Sequence, residues 1–212
     1  MSTSEFSYIP ESPEQSFGNN KGIFTPTDIY NLTRADKYTN YGQLELIQTQ
    51  TASSDSALEF TDIKEDIYNV HFMTASNLQV QTDADDLFIR FYENGVLESG
   101  SVYQEALVDG KADGSFSEGQ GTARTSLRLV FGLGTAGNEL GHSYMYFYNL
   151  GNSAKYSLST FQFVQLQTSS TFEMAYGGDG LVQKSVVDRI RIFPETNTFS
   201  GSFSLYGIRE YA

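Results

Sequence analysis

The sequence predicts an all-β protein built as an antiparallel β-sandwich. From about Gln43 to the C-terminus, apolar and polar residues alternate with a period of two, in short segments separated by turn residues. Tyr and Phe are plentiful, with 14 and 16 copies, while Trp is absent. Aromatic residues of this kind favour pleated, half-buried surfaces. We find no convincing amphipathic helix and no internal repeat, which argues against a helical bundle, a solenoid or a propeller.

Length, charge and cysteine content narrow the class of protein. A chain of 212 residues suits one sandwich plus an appendage. The net charge of −13 at pH 7 repels polyphosphates, so we expect neither a nucleic-acid partner nor attraction to an anionic membrane. The chain has no Cys, so packing and subunit contacts must stabilise it. We see no long apolar run and no signal peptide, and we therefore expect a soluble protein without membrane insertion.

Residues 1–42 are predicted to form an N-terminal arm and lead-in. Residues 1–22 are rich in Pro, Gly, Asn and Ser and carry isolated aromatic residues that cannot bury one another. Residues 23–42 indicate an irregular lead-in over the domain edge. Two hypotheses stay open for the arm: a disordered tail, or a segment that orders when its aromatic residues dock on a neighbouring subunit. The candidate partner-docking residues are Phe6, Tyr8, Phe17, Phe24 and Tyr30.

Residues 43–212 are predicted to form the sandwich, with about ten strands. In chain order the candidates lie near residues 44–46, 58–60, 70–74, 87–92, 126–131, 143–148, 160–167 and 171–176, followed by a closing β-hairpin made of 187–193 and 199–209. Asp62–Tyr68 predicts a turn or helical corner, and Glu93-Asn94-Gly95 predicts a turn. Ser99–Gly121 is rich in Gly, Ser and Asp, so we expect mainly loop there, with one short strand at Val102–Tyr103.

We find no motif with a specific catalytic or cofactor-binding signal. Gly132–Gly137 has the glycine spacing of a dinucleotide-binding loop, but a predicted strand rather than a helix follows it, which favours an inter-strand loop. His71 and His142 each lack a second ligand at a useful spacing. We therefore expect no enzymatic activity, no cofactor and no metal site. A glycosidase carboxylate pair assembled from distant strands stays a minor alternative.

Acidic residues lie in three segments that are predicted to be polar loops, two with several acids and one with Asp179 alone. These are Asp83–Asp86, Asp109–Gly114 and Gly177–Gly180. Carboxylate oxygens are the ligands that Ca²⁺ prefers, but none of the three segments has the EF-hand spacing. Solvated turn residues are the favoured interpretation, and calcium binding is the alternative.

Tyr144, Tyr146 and Tyr148 alternate with Met145 and Phe147 in one predicted strand. Both faces of this strand are therefore apolar or aromatic, and both need a covering partner. The favoured interpretation covers the Tyr side with the lead-in or with another subunit. The alternative is a surface on which sugars stack, which the absence of Trp weakens. The three Tyr residues are thus candidate glycan or subunit contacts.

The end of the chain, Ser200-Gly-Ser-Phe-Ser-Leu-Tyr-Gly-Ile208, resembles the closing strand of a recurrent family of tailed-bacteriophage virion proteins, which reads Gly-x-Phe-x-Leu-Tyr-Gly-Ile. Three further segments are similar to strands of that family in the same order, and the resemblance spans about residues 43–209. They are Leu46–Asp62, Ile67–Phe72 and Asp86–Phe91.

The resemblance implies a jelly-roll-like sandwich on the virion exterior, and it supplies no catalytic residues. We expect a non-enzymatic virion structural protein, assembled in the bacterial cytoplasm, that serves as capsid decoration or cement or as a short head fibre. It would dock through its arm on other virion proteins, capsid or tail subunits, and would form a homo-oligomer, most simply a trimer. The alternative is a tail-fibre or baseplate module that binds a host surface glycan.

Overall fold

The computed structural model describes residues 15–16, 19–20, 25–34, 44–167 and 171–209. The chain divides into two units, Met1–Gly42 and Gln43–Ala212. In the first unit, two short strands, β1 (Gln15–Ser16) and β2 (Asn19–Asn20), pair antiparallel. The second unit contains all the other strands.

The first unit also contains a helix, α1 (Pro26–Arg34), where the sequence predicted an irregular lead-in. Thr25 caps the helix: its Oγ1 accepts a hydrogen bond from the Asp28 N–H at 3.2 Å, and the Asp28 carboxylate accepts one from the Thr25 N–H at 2.9 Å. This reciprocal capping, together with Pro26 at the first helical position, is a typical start signal for a helix. The expectation of an irregular segment was therefore wrong for these residues, none of which is buried.

The second unit confirms the predicted fold class, because it is an antiparallel β-sandwich of two packed sheets. Its strands are β3 (Leu44–Asp55), β4 (Leu58–Phe60), β5 (Val70–Val80), β6 (Asp85–Glu93), β7 (Val96–Leu97), β8 (Tyr103–Lys111), β9 (Phe116–Arg124), β10 (Leu127–Leu133), β11 (Gly141–Tyr148), β12 (Tyr156–Leu166), β13 (Phe172–Lys184), β14 (Val187–Pro194) and β15 (Phe199–Ile208).

The two sheets have unequal widths. The wide sheet has eight strands in the order β3-β15-β5-β11-β12-β13-β8-β9. The narrow sheet has the order β10-β6-β14-β4, with β7 added beside β6. The turn predicted at Glu93–Gly95 joins β6 to β7, and Asn94 and Gly95 both have positive φ, at 50° and 80°. Positive φ at both central residues is characteristic of the tight hairpin turn that Asn-Gly favours.

The core lies between the sheets and follows the period of two. Every second residue of each central strand points inward, so apolar residues from both sheets meet in one cluster. Its largest fully buried side chains include Phe60, Phe91, Phe147, Phe163, Phe199 and Phe203. Aromatic side chains bury more apolar area than any others, which lets the chain reach an adequate core without disulfides.

The two C-terminal strands do not form the predicted hairpin. β14 pairs with β6 and β4 in the narrow sheet, whereas β15 pairs with β3 and β5 in the wide sheet. The short connection between them therefore crosses from one sheet to the other. It is held by Asp85, whose carboxylate accepts hydrogen bonds from the N–H and the hydroxyl of Thr196 at 3.1 and 3.0 Å. Alternation within each strand was predicted, but alternation cannot reveal which sheet a strand joins.

Ser99–Gly121 is also different from the prediction, because most of it forms the hairpin β8–β9. The inward positions of β8 are Tyr103, Glu105, Leu107 and Asp109, all buried. Two of these four are acidic, so the usual alternation of apolar and polar residues is hidden. The assignment to loop was therefore wrong because buried carboxylates look, in sequence, like solvated ones.

Strand β15 offers a direct test of the core. Phe203 is fully buried, while its neighbour Ser202 points to the outer face and is half-buried. We expect Phe203→Ala to lower the free energy of unfolding by about 3–5 kcal/mol, because it removes a large buried ring and leaves a cavity. Ser202→Ala, the control, should change it by less than about 0.5 kcal/mol. Urea denaturation followed by circular dichroism measures both, and equal effects would contradict the assignment of strand faces.

Candidate functional site

The outer face of the wide sheet is the candidate site. Strand β11 places Tyr144, Tyr146 and Tyr148 on this face, and it buries Met145 and Phe147 in the core. The three Tyr residues therefore share a face as the alternation predicted. Tyr144 is 41% exposed, and the other two are half-buried.

These residues belong to an aromatic cluster, which we define as Phe72, Tyr144, Tyr146, Tyr148 and Tyr206. Phe72 is its centre, since its ring centroid lies 4.7 Å from that of Tyr146 and 6.1 Å from those of Tyr144 and Tyr206. Tyr146 and Tyr148 stack at 6.5 Å with an interplanar angle of 19°. The cluster spans β15, β5 and β11, strands that are remote in sequence but adjacent in the sheet.

The neighbours of the cluster along the sheet are uncharged. Thr74 and Gln162 lie opposite Tyr144, and Thr160 lies opposite Tyr146. The Tyr144 hydroxyl donates to the Gln162 side-chain oxygen at 2.7 Å. Further apolar side chains stand exposed on the same face, among them Leu44, Leu46, Leu158, Tyr176 and Val182. A face with this many exposed apolar side chains is typical of an interaction surface.

Beside the cluster lies a groove of about 920 Å³ that crosses β11, β12, β13, β8 and β9. Its floor contains Gly178 and Gly180 of β13. In register, Gly178 lies between Thr160 and Ala106, and Gly180 lies between Leu158 and Gln104. The two glycines lack side chains where the flanking strands have them, so they leave a trench in the outer face. We refer to it as the glycine-floored groove.

The groove was not predicted from the sequence, because Gly177–Gly180 was expected to form a loop. The segment instead runs through the middle of β13, a strand of 13 residues. Asp179 points inward and is 5% exposed, so the expectation of a solvated turn residue was wrong here. The available signal was the spacing of Gly178 and Gly180, which puts two residues without side chains on one face of a strand.

Under the groove, the inward side chains form a buried ionic network between the sheets. Glu105 and Asp179 are register partners on β8 and β13. Arg128, from β10 of the narrow sheet, donates from Nε to Glu105 at 3.0 Å and from Nη1 to Asp86 at 2.6 Å. Its backbone N–H donates to Asp179 at 3.3 Å. Arg128 therefore joins the two sheets by satisfying carboxylates from both.

The environment raises the pKa of two of these acids, Asp179 and Asp86. Burial raises the pKa of Asp179 well above its ordinary 3.8, and the negative charge of Glu105 raises it further, while Arg128 opposes the shift. Burial also raises the pKa of Asp86, against the opposing hydrogen bond from Gly132 and charge of Arg128. Desolvation disfavours the charged form of a carboxyl group, which explains both directions.

The remaining acidic clusters have structural roles in the described residues. Asp85 holds the crossing between sheets, Asp109 accepts a hydrogen bond from Ser117, and Asp113 accepts from the Ser115 N–H at 2.8 Å. No group of three or more candidate metal ligands is found within the described ranges. These acids satisfy backbone and hydroxyl donors, as turn and strand-end acids commonly do.

Each of the two histidines has a backbone hydrogen-bond partner. His71 is fully buried and its Nε2 lies 2.8 Å from the Ile63 carbonyl oxygen. Burial lowers its pKa, so the neutral form is favoured. His142 is exposed at the start of β11, where its Nδ1 accepts a long hydrogen bond from the Asn77 N–H at 3.5 Å.

Gly132 and Leu133 are the last residues of β10, and Gly134–Gly137 lies in the connection from β10 to β11. A strand follows these glycines, as predicted, and the helix that a dinucleotide-binding loop requires is not found at this point of the described chain. Among the described residues, no helix has the length and apolar character needed to cross a bilayer.

Four of the five proposed docking residues of the arm lie outside the described residues: Phe6, Tyr8, Phe17 and Phe24. Tyr30 lies on α1 and is 63% exposed.

Comparisons of the chain with protein-family models, with curated proteins and with solved structures returned no match.

Because of Asp179, we expect the free energy of unfolding to depend on pH. Because its pKa is higher in the folded than in the unfolded chain, the folded state binds more protons, and stability falls as pH rises from about 3.8 through the folded pKa. We expect Asp179→Asn, which stays neutral, to escape this loss. The free energy of unfolding of the variant minus that of the wild type should therefore increase from pH 4 to pH 7. Urea denaturation at both pH values tests this, and a difference that is constant or shrinks would contradict it.

Proposed function

We propose that this chain is a non-enzymatic structural protein of the exterior of a tailed-bacteriophage particle, in capsid decoration or a short head fibre. The observation that carries the proposal is the aromatic cluster, which stands on the outer face of the wide sheet with uncharged neighbours. Packing against a second subunit would remove it from water, and burial of aromatic area is the dominant favourable contribution at such contacts.

The resemblance of β15 to the closing strand of phage virion sandwiches supports the choice of particle. The residues of β15 that carry the resemblance have identifiable structural roles. Phe203 and Leu205 point into the core, while Tyr206 points outward into the aromatic cluster. Gly207 leaves room for the ring of Tyr68, because a side chain at this position would collide with it. The same motif thus closes the sandwich and contributes to its outer surface.

The acids near the groove favour binding over hydrolysis. Glu105 and Asp179 are 6% and 5% exposed, and both interact with Arg128 between the sheets. A glycosidase pair must reach the scissile bond from two sides of the substrate. Among the described residues that line the groove, no other residue carries a carboxylate. Recognition and assembly are therefore the activities that we assign to this surface.

We predict that the protein self-associates through the aromatic cluster. In the double variant Tyr144→Ser/Tyr146→Ser, the dissociation constant of the oligomer should rise by roughly tenfold or more, because truncating central aromatic anchors costs the most at an interface. Sedimentation equilibrium of wild type and variant measures this. Val96→Ser serves as the control, since Val96 is 70% exposed on the narrow sheet. A wild type that stays monomeric, or a variant that associates as well as the wild type, would contradict the role of the cluster.

We predict that the N-terminal arm, residues 1–42, attaches the protein to the particle. Removal of residues 1–42 should leave the sandwich folded, because residues 43–212 form their own unit, while occupancy on particles should fall to background. Quantitative mass spectrometry of purified particles measures occupancy, and circular dichroism of the isolated protein checks folding. Retention of the truncated protein at full occupancy would refute docking through the arm. A density map of intact particles without this sandwich would refute the proposal as a whole.

A further inference from the structure

We propose that the glycine-floored groove binds a neutral oligosaccharide. This inference goes beyond the assembly role, because it assigns a ligand to the other half of the wide sheet. The aromatic cluster lies over β15, β5 and β11, whereas the groove lies mainly over β12, β13, β8 and β9. Tyr148 is the one residue that belongs to both, at their boundary.

The shape of the groove suits a small chain-like ligand. Its volume of about 920 Å³ is in the range of small-molecule sites. Because Gly178 and Gly180 lie in the interior of β13, between paired strands, the trench has a rigid floor. A rigid, preformed trench lowers the entropic cost of binding.

The surface chemistry of the groove suits hydroxyl groups and C–H faces. Gln104, Gln120 and Thr122 project from β8 and β9 on one side, and Thr160 from β12 on the other. Amides and hydroxyls both donate and accept hydrogen bonds, as sugar hydroxyls do. The ring of Tyr148 and the side chain of Leu158 add an apolar wall against which the C–H face of a sugar can pack.

The charged residues of the groove decide between a neutral and an anionic ligand. Among the described residues that line the groove, Glu105 and Asp179 are the charged types, and both are buried toward Arg128 rather than presented to the groove. We find no Lys or Arg in that lining to recognise phosphate, sulfate or carboxylate. The ligand is therefore neutral, and its hydroxyls rather than anionic groups carry recognition.

A peptide strand fits the groove less well than a sugar. The backbone groups of Gly178 and Gly180 lie in ladders with β12 and β8 on both sides, so the floor is not a sheet edge that can accept an additional strand. A ligand in the groove must therefore bind to side chains, and the hydroxyl groups of a sugar can form hydrogen bonds with the Gln and Thr side chains there.

The test uses the full-length protein on an array of neutral and acidic bacterial oligosaccharides, followed by isothermal titration calorimetry with the strongest neutral ligand. We expect saturable binding that is unchanged by EDTA. Tyr148→Ala should weaken binding by roughly tenfold or more. Gly180→Leu should abolish it, because the new side chain fills the trench beside the flexible tip of Leu158, which lies 2.9 Å from the point where a Cβ at position 180 would stand.

Phe116→Ala is the matched control, since Phe116 is an aromatic residue of β9 that is 78% exposed outside the groove. It should bind as the wild type does, and thermal unfolding should show that all variants are folded. If Gly180→Leu does not fold, Tyr148→Ala together with Gln104→Ala decides the question. Absence of binding, binding to acidic glycans only, or binding that survives the groove variants would overturn the inference.

The outcome is independent of the proposed virion role. A protein that associates through the aromatic cluster and occupies particles but binds no glycan contradicts this inference alone. A protein that binds neutral glycans but is absent from particles contradicts only the proposed function. If Gly180→Leu or Gln104→Ala, which leave the aromatic cluster intact, instead weaken self-association without any glycan bound, a second copy of the chain occupies the groove and the inference is wrong.

Discussion

Burial of apolar side chains between two sheets of unequal width is the constraint on which the rest of this structure depends. The wide sheet has eight strands and the narrow sheet has five, so the narrow sheet cannot cover the whole inner face of the wide one with an apolar layer. Near the centre, Phe91 and Phe147 meet edge to face at 5.9 Å, one from each sheet. Toward the β8 edge, two of the four inward positions of β8 are acidic, and Arg128 of β10 pairs with one of them, Glu105. Removing one partner of such a buried pair leaves the other charge uncompensated, which is strongly unfavourable.

The width of the eight-stranded sheet also explains why its outer face is large enough for two separate surface features. The wide sheet presents a continuous surface on which side chains from β15, β5 and β11 become neighbours, although Tyr206 and Phe72 are far apart in the chain. This surface has an aromatic half over β15, β5 and β11 and a trench half over β12, β13, β8 and β9, where Gly178 and Gly180 form the floor. The proposed assembly surface and the proposed ligand groove are therefore adjacent but different areas, and Tyr148 belongs to both.

Acidic residues in this protein serve the interior as well as the surface. Glu173 is fully buried, accepts a hydrogen bond from Gln165 at 2.6 Å and pairs with Lys111 at 3.4 Å. Asp179, with its raised pKa, lies behind the floor of the groove. Net charge alone suggests solvated acids, yet several of them hold strands together. The position of each carboxylate, rather than the net charge of the chain, therefore decides whether it supports the core or lies at the surface.

The sequence by itself determined the period of two in most strands, and with it the fold class and, in those strands, the face on which each residue lies. Tyr144 and Tyr146 could be assigned to one face and Met145 to the other, because alternation is a property of a single strand. The capping signal of α1 at Thr25 and Asp28 is local and therefore present in the sequence, although we predicted an irregular segment there. Only the tertiary structure decided that β14 and β15 join different sheets, that Glu105 and Asp179 are buried, and that Gly178 and Gly180 make a trench. These features depend on which strands lie side by side, and strand neighbours that are remote in the chain are selected by packing of the whole core rather than by local sequence.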